Sequence, residues 1–246
     1  MSAPKKKNRA YLCFDFETND TLLNNCVPVE FAALLVDINT MEEVGSFRRL
    51  MRLEDGETMS ARAQELHGYT IQYLADNGIR RIEALVQFGE WLEGMGFPIP
   101  FRNEDPDFSG TLYPMGQNIL QFDLPILKTW MGYPAASIFS YSAVDTMLEA
   151  NFINRAARHA FGWGAAPFVD PVSGYPSASL AAQCHALGID LSGHHGALAD
   201  ARATLQCARA HLHHLAEDLH HAGVRVERLR ELGLPITETS FSSIPF

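Results

Sequence analysis

The sequence contains no uninterrupted apolar run of the roughly 18 residues that a membrane-crossing helix needs, so no bilayer span is expected. Cysteine is sparse. Cys13, Cys26, Cys184 and Cys207 are scattered without a C-x-x-C pair, which gives no paired-cysteine site and fits a reducing cytoplasm. Basic residues are also scarce: 19 Lys and Arg stand against 29 Asp and Glu, for a formal net charge of −10. That balance argues against a broad basic surface gripping long duplexes through counterion release. It leaves room for an enzyme that holds a few terminal nucleotides, where bound divalent cations neutralise phosphate and the site itself must be acidic. The Lys5, Lys6, Lys7 and Arg9 cluster resembles the start of a signal peptide only briefly, because Asp15 and Glu17 break the apolar run behind it. Residues 1–10 are therefore expected to be a solvated basic leader.

What is present is an ordered alternation of elements. Residues 11–16, 29–37 and 44–52 read as three consecutive strands, and residues 60–66 and 81–92 as amphipathic helices, with Ser60 an N-cap. A Pro-, Asp- and Gly-rich loop at 97–110 precedes a fourth strand near 112–117. Helices are predicted over 121–130, 143–153, 180–187 and 197–222, with 162–177 a surface loop. Strands followed by helices, another strand and more helices predict one α/β domain over residues 11–222, a mixed sheet flanked by helices. Residues 223–246 form an expected extension.

Three sites in this order carry chemistry. Asp15 and Glu17 stand two apart in the strand LCFDFE, so both carboxylates emerge on one face while Phe14 and Phe16 point to the other. Like charges side by side are costly unless a cation or protons intervene, which points to Mg²⁺ or Mn²⁺ held by hard oxygens. Asp123 follows in GQNILQFD, where Gly116 permits close backbone approach and Asn118 offers amide groups; alone, Asp123 reads equally well as a helix-start acid. The third site is HHGALADA, in which Asp200 falls in the first turn of a helix and His195 just before it. An imidazole there can take a proton over the same cleft where the carboxylate binds metal. His194 is the rival, read as neighbouring loop.

DFET, GQNILQFD and HHGALADA, in this order, resemble the three motifs of the DEDDh (DnaQ-like) 3′→5′ exonuclease family, over roughly residues 11–214. The resemblance implies a ribonuclease H-like fold and hydrolysis of phosphodiester bonds at the 3′ ends of DNA or RNA. It implies Asp15, Glu17, Asp123 and Asp200 as ligands of two divalent ions, and His195 as general base. It also implies contacts from Thr18, and from Asn118, to the terminal nucleotide. Where many members read Glu-Thr-Thr-Gly, this chain has Glu17-Thr18-Asn19-Asp20, a departure at the sugar-contacting turn.

The same motifs are compatible with a catalytically idle module of this fold that binds nucleic-acid ends or a protein, and with a small-molecule phosphodiesterase. His211, His213, His214, His220 and His221 lie on one predicted helix without an H-E-x-x-H pattern, and read as a helix face rather than a zinc site. The apolar residues 231–236 faintly resemble clamp-docking peptides. Ile244-Pro245-Phe246 resembles the end of bacterial single-strand-binding protein tails, so any replication or repair partner is expected on the C-terminal tail.

Overall fold

β2 (Pro28–Asp37) is buried along nearly its whole length, because VEFAALLV is apolar at every position but Glu30 and both faces of the strand are covered. It lies between β3 (Glu43–Leu50) and β1 (Asn8–Thr18), antiparallel to both. β4 (Gly110–Gly116) pairs parallel with β1, and the short β5 (Val144–Asp145) pairs parallel with β4, completing the sheet order β3-β2-β1-β4-β5. The computed structural model describes residues 8–22, 26–99, 110–132, 135–191 and 196–221. Most of the basic leader, the heart of the 97–110 loop, His194, His195 and the expected tail lie outside them.

Strand alternation sorts the core into two layers. Leu12, Phe14 and Phe16 leave β1 on one face and meet Phe31, Ala33 and Leu35 of β2, covered by α3 (Arg81–Gly94) and α4 (Asp123–Met131). Phe31 centres this layer, stacked on Phe16 at 4.5 Å and edge-on to Phe88 of α3 at 4.9 Å. On the other face, Cys13, Leu34, Val36 and Met115 pack against Ala201, Leu205 and Ala208 of the long helix α7 (Ala197–His221). The spacing of those three residues gives α7 one apolar stripe, and its alanines let the helix approach closely. The Cys13 thiol donates to the Ala201 carbonyl at 3.3 Å. This contact brings the start of α7 to the end of β1 that carries Asp15 and Glu17.

Helix ends follow their caps. Ser60 accepts the Ala63 N–H at 3.1 Å and starts α1 (Ala61–His67), as its sequence position predicts. The sequence pattern gives no helix at α2 (Ile71–Asn77), whose two turns are too short for a clear period; Thr70 caps it through the Tyr73 N–H. The helix expected from 143 begins later, because Val144 and Asp145 first pair with β4; α5 then runs Thr146–Phe161, well past 153. α6 spans Leu180–Leu187 as expected. Asn154 of α5 ties down the 162–177 stretch, accepting the Phe168 N–H and donating to the carbonyls of Phe168 and Ser177.

Candidate functional site

Asp15 and Glu17 leave β1 on the face covered by α7. Their direct partners on β2 are Ala32 and Glu30. Asp200 descends from the first turn of α7 toward the same strand end. One carboxylate oxygen from each of Asp15, Glu17 and Asp200 lies within 4.8 Å of the others, and all three residues are half-buried. Among the described residues this is the one group of three or more acid, histidine or cysteine side chains so arranged.

Such crowding has an electrostatic consequence. Burial, followed by the charges of Asp123, Glu17 and Asp200, pushes the Asp15 carboxyl well above its ordinary range. Burial and then the charges of Asp200, Glu30 and Asp123 raise Glu17 from 4.5 to about 8. Without a cation these carboxyls therefore keep protons to higher pH than free ones, because water cannot screen their charges from one another. Several hard oxygen donors, close together and mutually repelling, suit a hard divalent cation better than a soft-ligand metal.

Asp123 does not join the group of three, though it adjoins it. It is the first residue of α4, 3% exposed, and its Oδ1 accepts the backbone N–H of Phe16 at 3.1 Å. Burial raises its carboxyl from 3.8 to about 8 in spite of that hydrogen bond, with the charge of Asp145 adding to the rise. The helix-start reading from sequence therefore holds at this position. Gly116 has the tight approach that its motif implies, since a Cβ there would meet the Ile119 side chain at 2.7 Å.

Asn118 occupies the left-handed region at φ 56, and its backbone N–H donates to Asp145 Oδ1 at 3.1 Å. Asp145, buried at the end of β5, also accepts the N–H groups of Leu120, Met147 and Leu148. One carboxylate thus fixes the Asn118 turn and caps α5. The Thr18 hydroxyl donates to the Asp20 carbonyl at 2.6 Å, and the Thr18 carbonyl lies 3.3 Å from His67 Nε2. Asn19, where the motif departs from the resembled pattern, is a buried brace: it donates to the Thr58 carbonyl and accepts the Val27 N–H. The departure is thus a structural feature of the turn. His195 lies outside the described residues.

Sequence reasoning passed over Glu30 and Asp145. Glu30 had a signal, as the one acid inside the apolar run VEFAALLV, where it must be buried. Asp145 had a weaker one, an acid directly before a helical pattern. His211 of α7 is buried against Phe168 and 3.0 Å from Glu149 Oε2, so this member of the histidine run belongs to packing.

The mixed five-stranded sheet flanked by helices is a ribonuclease H-like fold. It matches exonuclease I from Methylocaldum szegediense with a TM-score of 0.56 at 21% identity, over 80% of this chain and 39% of that one. It matches E. coli exonuclease I in complex with a dT13 oligonucleotide at TM-score 0.62 and 19% identity, over 87% of this chain and 44% of that one. The zinc-ion-bound form of the E. coli exonuclease I–ssDNA complex aligns at TM-score 0.57 and 19% identity, over 82% and 40%. The chain thus spans less than half the length of these exonucleases. No protein-family profile and no curated protein matches the chain.

Proposed function

We propose that the chain is a metal-dependent 3′→5′ exonuclease of the DEDDh group, removing nucleoside 5′-monophosphates from the 3′ end of a single-stranded nucleic acid. One observation carries this reading. Carboxylates at opposite ends of the sequence, Asp15 and Glu17 on β1 and Asp200 on α7, meet within 4.8 Å in a ribonuclease H-like fold. The likeness to exonuclease I solved with dT13 and in a zinc-bound form with ssDNA supports DNA as the first substrate to test and a divalent cation as cofactor.

Asp15, Glu17 and Asp200 would hold two divalent cations, with Asp123 beside them, supplying an activated water and neutralising charge on the phosphate. The remaining steps belong to the protein's own groups. His195, one residue before Gly196 in the sequence, accepts the proton of the attacking water as its oxygen bonds to phosphorus and the 3′ oxygen leaves. Thr18, next to Glu17, and Asn118, in the turn before Asp123, contact the terminal nucleotide. Asp123 is anchored by Phe16 and presents its carboxyl close enough to the same cluster to act on Asp15.

A panel of single- and double-stranded DNA and RNA with blocked 3′ or 5′ ends tests this reading. Cleavage that needs Mg²⁺ or Mn²⁺, proceeds with a blocked 5′ end and stops with a blocked 3′ end is expected. Cleavage of closed circles would overturn it, and metal-dependent cleavage confined to dinucleotides would point to a small-molecule phosphodiesterase. No metal-dependent cleavage of any substrate would favour an idle binding module.

A further inference from the structure

Glu30 is fully buried, on the same sheet face as Glu17 and directly across from it. A buried carboxylate needs donors for its oxygens or its burial is strongly unfavourable. Glu30 has three, each from a different part of the fold. Arg48 of β3 donates through Nε to Oε1, the Tyr69 hydroxyl donates to Oε2 at 2.8 Å, and the backbone N–H of Ala197 donates to Oε2 at 3.2 Å. Tyr69 in turn accepts from Arg48 at 3.3 Å. Burial and the Glu30 charge push the Tyr69 phenol above its ordinary value, which keeps it a donor.

Ala197 is the first residue of α7, three positions before Asp200. Its N–H is one of those that a helix start leaves without an intrahelical acceptor, and a carboxylate there also meets the positive end of the helix dipole. Ala197, Leu198 and Ala199 carry no side-chain acceptor, and Gly196 before them has no side chain. The acceptor comes instead from β2, the strand paired with the one that bears Asp15 and Glu17.

We propose that Glu30 is a positioning residue that fastens the first turn of α7 to the sheet and thereby sets where Asp200 meets Asp15 and Glu17. The proposal rests on the metal-dependent nuclease reading for its catalytic consequence and on the hydrogen bonds alone for its structural one. Glu30 acts as an acceptor of three protein donors, which leaves its oxygens committed away from a cation. Arg48 pairs with it and Tyr69 orients it.

Glu30→Gln preserves shape but replaces one acceptor oxygen by an N–H₂ group, which cannot serve Ala197 and Arg48 together. Amide hydrogen exchange over residues 196–201 of the metal-free variant is expected to rise, with exchange in α3 unchanged. Mn²⁺ affinity, read by titration calorimetry, is expected to fall about 10-fold or more, and kcat on a single-stranded oligonucleotide to fall similarly with KM preserved. Tyr69→Phe removes one donor and keeps the Arg48 pair, so a smaller change in the same direction is expected, and it serves if Glu30→Gln fails to fold. Unchanged exchange at 196–201, or raised exchange with unchanged Mn²⁺ affinity, overturns the proposal. A wild-type protein that binds Mn²⁺ yet cleaves nothing overturns the nuclease reading alone, because exchange and Mn²⁺ affinity still decide the role of Glu30.

Discussion

Asp123 Oδ1 accepts the backbone N–H of Phe16 at 3.1 Å, so the acid of the second motif is fastened to the strand between the two acids of the first. This bond separates the two tasks of Asp123, as acceptor and as charge. Asp123→Asn can keep the acceptor and loses the charge, whereas Asp123→Ala leaves a buried N–H unsatisfied. The alanine variant should therefore be less stable than the asparagine variant by about 1–3 kcal/mol in urea unfolding. Both should lose at least about 100-fold in nuclease rate, a change of roughly 3 kcal/mol in the barrier.

The acidic cluster makes the metal-free protein sensitive to pH. Glu17 rises from 4.5 to about 8 on folding and Asp123 from 3.8 to about 8, so between about 4 and 8 the folded chain binds more protons than the unfolded one. Their contribution to stability is complete below the unfolded values and is lost as pH rises through the folded ones. Urea midpoints of chelator-treated protein should fall from pH 5 to pH 8, and Glu17→Gln should flatten that slope. Divalent metal should restore stability at pH 8 by binding the folded state, releasing protons as it does so.

Asp145 holds the Asn118 turn and the start of α5 with one side chain. Asp145→Ala removes the acceptor from four backbone N–H groups at once, and unfolding should cost about 2–4 kcal/mol less in a denaturant titration. Asp145→Asn keeps an amide oxygen for some of them and should lie between the two. Thermal midpoints in the same order would support a brace for the second motif, and equal stability of the three proteins would remove it.

Much of this arrangement was legible in the sequence because it follows from period and order. The alternation in LCFDFE places Asp15 and Glu17 together, and the apolar stripe of α7 places Asp200 over the sheet. β1, β2, α3 and α6 were readable for the same reason. β5 was not, since two residues carry no period and their pairing with β4 depends on tertiary contact. α2 lacked length, and α5 ran past its apolar pattern to Phe161. Glu30 escaped notice because Arg48, Tyr69 and Ala197 reach it only on folding, and the tie of Asp145 to the Asn118 turn did so for the same reason.

Close packing of α7 carries its own test. Ala201 is buried against Cys13, whose thiol reaches the Ala201 carbonyl, so a larger side chain at 201 must push the helix away from β1. Ala201→Leu should cost about 1–3 kcal/mol of stability by overpacking and weaken Mn²⁺ binding by separating Asp200 from the pair on β1. Unchanged Mn²⁺ affinity in a folded Ala201→Leu protein would show that the helix position does not govern the site.

The most direct test follows a 5′-labelled single-stranded oligonucleotide with the purified protein, Mn²⁺ or Mg²⁺, and the Asp15→Asn and Asp200→Asn variants alongside. Stepwise shortening from the 3′ end, abolished by chelator and by either substitution, is the result expected if these carboxylates form one catalytic centre. Shortening that survives both substitutions, or an intact oligonucleotide with wild-type protein and either metal, would contradict it.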